Sequence, residues 1–129
     1  MSSGRWRLLS VVMAAGALFD LAFAVAILAA PAASAALLAI DLPADPVHLR
    51  LNGVLLLLLA ALYALPALRP ERFHVIAPIS AGGRALGGVV LVSAGRSGST
   101  YPLLGWADLA LGTVTALAWV AARRTSPSD

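Results

Sequence analysis

The chain has 129 residues, 60% of them hydrophobic and only 12% charged, with a formal net charge of +3 that comes wholly from arginine, and it contains no cysteine. Disulfides, thiolate metal sites and cysteine-pair redox chemistry are therefore excluded. The apolar residues come in runs of about twenty, the length that crosses ~30 Å of hydrocarbon at ~1.5 Å per residue. This composition predicts an all-α integral membrane protein, a single four-helix transmembrane bundle over residues 1–129 with no separate soluble domain. The basic balance points to topology and to membrane lipids as partners, not to nucleic acid.

The first predicted span runs from about Trp6 to Ala30 and stops at Pro31, which cannot comfortably continue a hydrogen-bonded helix. Arg5, Arg7 and the small-residue run "AASA" at Ala32 to Ala35 imitate a signal peptide. The apolar stretch is longer than the ~7–15 residues of a signal core and carries Asp20 near its middle, so an uncleaved span is expected. A connector, "SAALLAIDLPADPVH", follows. Its apolar first half suits the membrane interface, and "DLPADP" is turn chemistry.

The second span is expected over about Leu49 to Leu68 and ends at "PALRPERFH". The third covers roughly Val75 to Gly95, is rich in glycine and contains Arg84. After the loop "RSGSTYP" the fourth runs from about Leu103 to Ala122, closed by a short disordered tail over 123–129. An N-terminus on the cytoplasmic side puts Arg5, Arg7, Arg69, Arg72, Arg123 and Arg124 inside and leaves Arg50 and Arg96 outside, so both termini are expected to be cytoplasmic in a bacterial inner membrane. Gly83 and Gly87 form a G-x-x-x-G, flanked by Ala81 and Ala85, with Gly105 and Gly112 on the fourth span. These small residues predict close helix packing.

Depth arithmetic isolates the polar residues. Counted from the outer ends at ~1.5 Å per residue, Asp20 lies about 15 Å deep, Arg84 about 16 Å, Asp108 about 8 Å and Asn52 about 5 Å. An ionised residue near the bilayer centre costs ~2.5–3.5 kcal/mol on insertion scales. Two acids and one base on three helices offset much of this by pairing inside the bundle, so Arg84 is predicted to be the central cation of a cluster with Asp20 and Asp108. The cluster carries a formal −1, which low dielectric disfavours, and it is a candidate proton or acid–base site as well as a helix-registering lock.

His48, with Arg50 and Asn52, forms "HLRLN" at the outer mouth of the second span and joins Asn52 and Tyr63 as a candidate ligand contact. No histidine–carboxylate set has metal-ligand spacing, and no cofactor is expected. The segments "FDLAFAV" and "ADLALGT" match around Asp20 and Asp108, although the spans that carry them run in opposite directions.

"RLNGVLLLLLAALYALPALRPERF", the glycine-rich span with Arg84 and the final "ADLALG" together resemble the small bacterial four-helix membrane proteins of the DoxX-like set. That resemblance implies a fold and a location, with quinone-linked oxidoreductases as associates of some members. It leaves three functions open. One is a bundle that binds an apolar or lipid-like molecule, or a partner subunit or second copy, through the Asp-Arg-Asp cluster. Another is a membrane enzyme doing acid–base chemistry of the epoxide-hydrolysis or isomerisation type, with Asp20, Arg84 and Asp108 catalytic and Asn52 or Tyr63 orienting a water. The set is similar in makeup, though not in fold, to limonene-epoxide-hydrolase sites. The third is a small proton-coupled transporter.

Overall fold

The computed structural model describes residues 4–42, 44–95 and 98–124. Among them all regular structure is helical: α1 Gly4–Ala29, α2 Pro31–Leu37, α3 Val47–Leu68, α4 Pro70–Phe73, α5 Ile76–Ala94 and α6 Tyr101–Arg124. α1, α3, α5 and α6 are each long and apolar enough to cross a membrane. Even the 19 residues of α5 reach ~28 Å at ~1.5 Å per residue. Continuous helix suits lipid because it satisfies every backbone donor and acceptor within the segment.

Two X-Pro steps set the helix ends. The proline ring crowds the residue before it and disfavours the helical conformation there; α3 runs on through Pro66, but the chain yields at Pro31 and Pro70. Ala30 accordingly sits at φ −145°, ψ 69° before Pro31, and Arg69 at φ −137°, ψ 71° before Pro70. Each proline then opens a short helix, where its missing N–H is not needed. The connector after α1 thus opens with the helix α2, which is not among the predicted elements. α2 ends with the Ala39 N–H bonded to Ala36 and the Ile40 N–H to Ala35, a Schellman closure whose left-handed position is Ala39 at φ 50°. The predicted outer-loop position of Arg96 and the predicted tail beyond Arg124 lie outside the described residues, as does Pro43 of the turn.

α1 packs along α3 and α5 along α6. α1 also meets α6, whereas α3 and α5 barely touch, so the four long helices surround a gap on one side. At the end where α1 begins and α6 finishes the bundle is solid: Leu9, Met13, Tyr63, Ala77 and Ala118 form a core under Trp6 and Trp119. There the Ser10 hydroxyl donates to the Ala67 carbonyl and ties α1 to α3.

The polarity of the bundle is inverted relative to a water-soluble one. Leu18, Val25, Leu55, Leu58, Leu86, Val90 and Leu117 are exposed, while Asp20, Ser80, Arg84 and Thr115 are buried. An apolar outside and a polar inside are the arrangement of a multi-pass membrane protein.

Close approach of α5 and α6 uses the expected Gly105 and Gly112 on α6, but on α5 it uses Gly88 in place of the expected Gly83. A Cβ at Gly105 would lie 2.7 Å from the Gly88 carbonyl oxygen, one at Gly88 2.8 Å from the Gly105 carbonyl oxygen, and one at Gly112 3.1 Å from that of Ala81. The seam is therefore Ala81, Ala85 and Gly88 against Gly105 and Gly112. Gly83, expected to pack, has open space where its Cβ would be, because its side of α5 turns toward the gap between α3 and α5.

Candidate functional site: a cleft over an Asp-Arg-Asp cluster

Arg84 of α5 is buried and holds acids from two other helices. Its Nη2 donates to Asp20 Oδ2 of α1 at 2.9 Å and to the Gly16 carbonyl at 3.1 Å, and its Nη1 donates to Asp108 Oδ1 of α6 at 2.6 Å. The three residues named from depth arithmetic are thus brought together. Burial is unequal: side-chain exposure is 6% for Arg84 and 5% for Asp20 but 19% for Asp108. Asp20 and Arg84 are interior groups, and Asp108 stands at the edge.

Local sequence explains why the guanidinium fits. Each aspartate stands four residues from a glycine on its own helix, Gly16 before Asp20 and Gly112 after Asp108, which places each pair on one helix face. A Cβ at Gly16 would lie 3.2 Å from Arg84 Nη2, and one at Gly112 would lie 3.2 Å from Arg84 Cβ. Both glycines therefore make room for Arg84, one at its head and one at its base. α1 and α6 run in opposite directions, so the reversed order Gly-x-x-x-Asp and Asp-x-x-x-Gly puts both glycines on the same side of their aspartates. The matched "DLA" of the two helices reflects this shared task at its aspartates; nothing in the structure explains the Leu-Ala that follows.

Two rings complete the surroundings of the cation. The guanidinium carbon lies 5.4 Å from the centre of the Tyr63 ring and 5.8 Å from that of Phe19. Such contacts are worth roughly 0.5–2 kcal/mol each, more where water is excluded. Phe19 in turn packs on Phe23 at 4.9 Å.

Above the cluster the gap between α3 and α5 widens into a cleft of about 470 Å³. Asp20, Arg84 and Asp108 are its charged lining; Asn52, Tyr63 and Tyr101 add polar groups, and the remaining wall is mostly leucine, isoleucine and phenylalanine. Gly83 and Gly87 line it from α5, and their missing side chains contribute its width. Leu38 and Ile40, at and beyond the end of α2, line the end away from the termini. There the Thr100 hydroxyl donates to the Leu38 carbonyl at 2.7 Å, which ties the connector to the start of α6.

Of the residues expected to contact a ligand, Asn52 and Tyr63 line the cleft and His48 does not. His48 is exposed in the first turn of α3. Phe19, Phe23 and the Gly16 carbonyl belong to the site without having been singled out. The only signal for them was position, since Phe19 and Gly16 lie one and four residues from Asp20. Among the described residues no group of three histidine or carboxylate side chains could hold a metal ion.

These features define a class, a helical membrane bundle with a polar centre open to one side. Comparison of the chain with protein-family models, with curated proteins and with solved structures gave no match.

Proposed function

We propose that this protein binds an apolar or lipid-like molecule in the cleft between α3 and α5, with the polar part of that molecule against Asp20, Arg84 and Asp108. The cleft carries the reading. Ion groups that served only to lock helices in register would be closed over by their neighbours, yet a space of about 470 Å³ reaches all three. That volume lies within the ~300–1,000 Å³ of small-molecule sites, and an apolar wall with a few convergent polar groups is their usual makeup. The resemblance to DoxX-like proteins and the arginine distribution favour a bacterial inner membrane with both termini in the cytoplasm.

The test is photolabelling in nanodiscs. An alkyl diazirine should label saturably the α3 and α5 peptides that line the cleft. Gly83→Leu should suppress that labelling, because the new side chain fills the cleft without meeting neighbouring atoms at its Cβ. Labelling spread evenly over the outer faces of the four long helices, unchanged in Gly83→Leu, would overturn the proposal.

A further inference from the structure

Charge and geometry at the cleft specify the class of molecule it would take; this inference rests on the binding reading just given. The charged lining residues are two carboxylates and one guanidinium, a formal −1 in an apolar setting. An anionic head would add to that charge and a neutral one would leave it uncompensated. A monocation would cancel it, and in a low-dielectric site that difference is large.

The atoms that face the cleft agree. Arg84 directs three N–H bonds at Asp20, Asp108 and Gly16 and keeps only 6% side-chain exposure, while Asp108 keeps 19%. An incoming head therefore meets carboxylate more than guanidinium. Asp108 uses Oδ1 toward Arg84, and its Oδ2 lies 3.9 Å from where a Gly87 Cβ would stand, on the cleft wall. Oδ2 is thus an acceptor positioned for a donor from the cleft. Phe23 and Tyr101 also line the cleft, and aromatic rings attract cations.

Size narrows the class again. A cavity of about 470 Å³ has the volume of a drug-sized molecule and is too small for both tails of a phospholipid. We propose that the occupant is an alkylamine with a single alkyl or aryl-alkyl tail, held as its ammonium with an N–H directed at Asp108 Oδ2 and its apolar part between α3 and α5.

Three probes with one tail test this: decylamine, decanol and decanoate. Saturable binding is measured to protein in phosphatidylcholine nanodiscs, above that of protein-free nanodiscs. Decylamine should bind roughly tenfold tighter than decanol, as a charge-assisted bond exceeds a neutral one, and decanoate should show no saturable binding. Asp108→Asn should bring decylamine down to the decanol level, and Gly83→Leu should abolish saturable binding of both. Unfolding temperatures show whether the variants fold, and the ranking of probes on the unaltered protein needs neither variant.

Decanol or decanoate binding as tightly as decylamine, lost in Gly83→Leu, would overturn the amine inference and leave the cleft as a binding site. An amine preference that persists in Asp108→Asn would overturn the assignment to Asp108. No saturable binding of any probe would overturn the inference and count against the cleft itself.

Discussion

Replacing Arg84 with leucine removes the one cation of the cluster and with it three hydrogen bonds, at 2.6, 2.9 and 3.1 Å. Asp20 is the more deeply buried acid, with 5% side-chain exposure, and Asp108, with 19%, the less buried one. Breaking a buried ion pair from one side costs about 3–5 kcal/mol, and most of that loss should fall on Asp20. Loss of the contacts to Tyr63 and Phe19 adds a smaller amount. Replacing the whole group is a different perturbation, because no unpaired charge is left behind. Arg84→Leu combined with Asp20→Asn and Asp108→Asn should therefore recover most of the loss, and Asp108→Asn alone should cost less than Arg84→Leu. Reversible unfolding in bicelles measures all four chains. Equal stability of Arg84→Leu and the unaltered protein would refute the reasoning, and so would a triple variant as unstable as Arg84→Leu.

Glycine substitutions separate helix seam from cleft wall: Gly105→Ala should cost ~1–3 kcal/mol, since its Cβ meets the Gly88 carbonyl at 2.7 Å and the Val92 nitrogen at 2.8 Å. Gly83→Ala has free space and should be neutral or stabilising by up to ~1 kcal/mol in the same assay. Ala39→Gly relieves a left-handed backbone position at φ 50° that disfavours a Cβ by ~1–2 kcal/mol, so it should raise the unfolding temperature slightly; a lower one would contradict the Schellman reading of α2. The absence of cysteine makes topology simple to read: Ala44→Cys should react with an impermeant maleimide in intact cells and Ser126→Cys should not, and the reverse pattern would sink the proposed orientation.

The spans were legible because hydropathy and proline act over short range. α1, α3, α5 and α6 end within about two residues of the expected limits, and α1 stops before Pro31 as expected. α2 was not legible: "PAASAAL" is too short to show a helical period. The ion cluster could be read from cost alone, since Asp20, Arg84 and Asp108, at depths a long arginine side chain can bridge, have few stable options in an apolar bundle but each other. The packing role of Gly105 and Gly112 was legible too, but that of Gly83 and Gly87 was not. G-x-x-x-G at Gly83 and Gly87 records that one face of α5 is small, and whether that face meets a helix or a space depends on how far α3 stands off, which no local pattern encodes. The ring contacts of Phe19 and Tyr63 likewise depend on which way the Arg84 side chain leans between α1 and α3.

The most direct test of ligand binding at the cluster is nuclear magnetic resonance of the protein in nanodiscs, labelled at the arginine guanidinium nitrogens and at glycine, during titration with decylamine. The buried Arg84 guanidinium and the backbone amides of Gly83 and Gly87 should shift together and saturate, and Gly83→Leu should abolish the response of Arg84. Shifts that never saturate, or that leave Arg84 unmoved while exposed arginines such as Arg50 respond, would contradict binding in the cleft between α3 and α5.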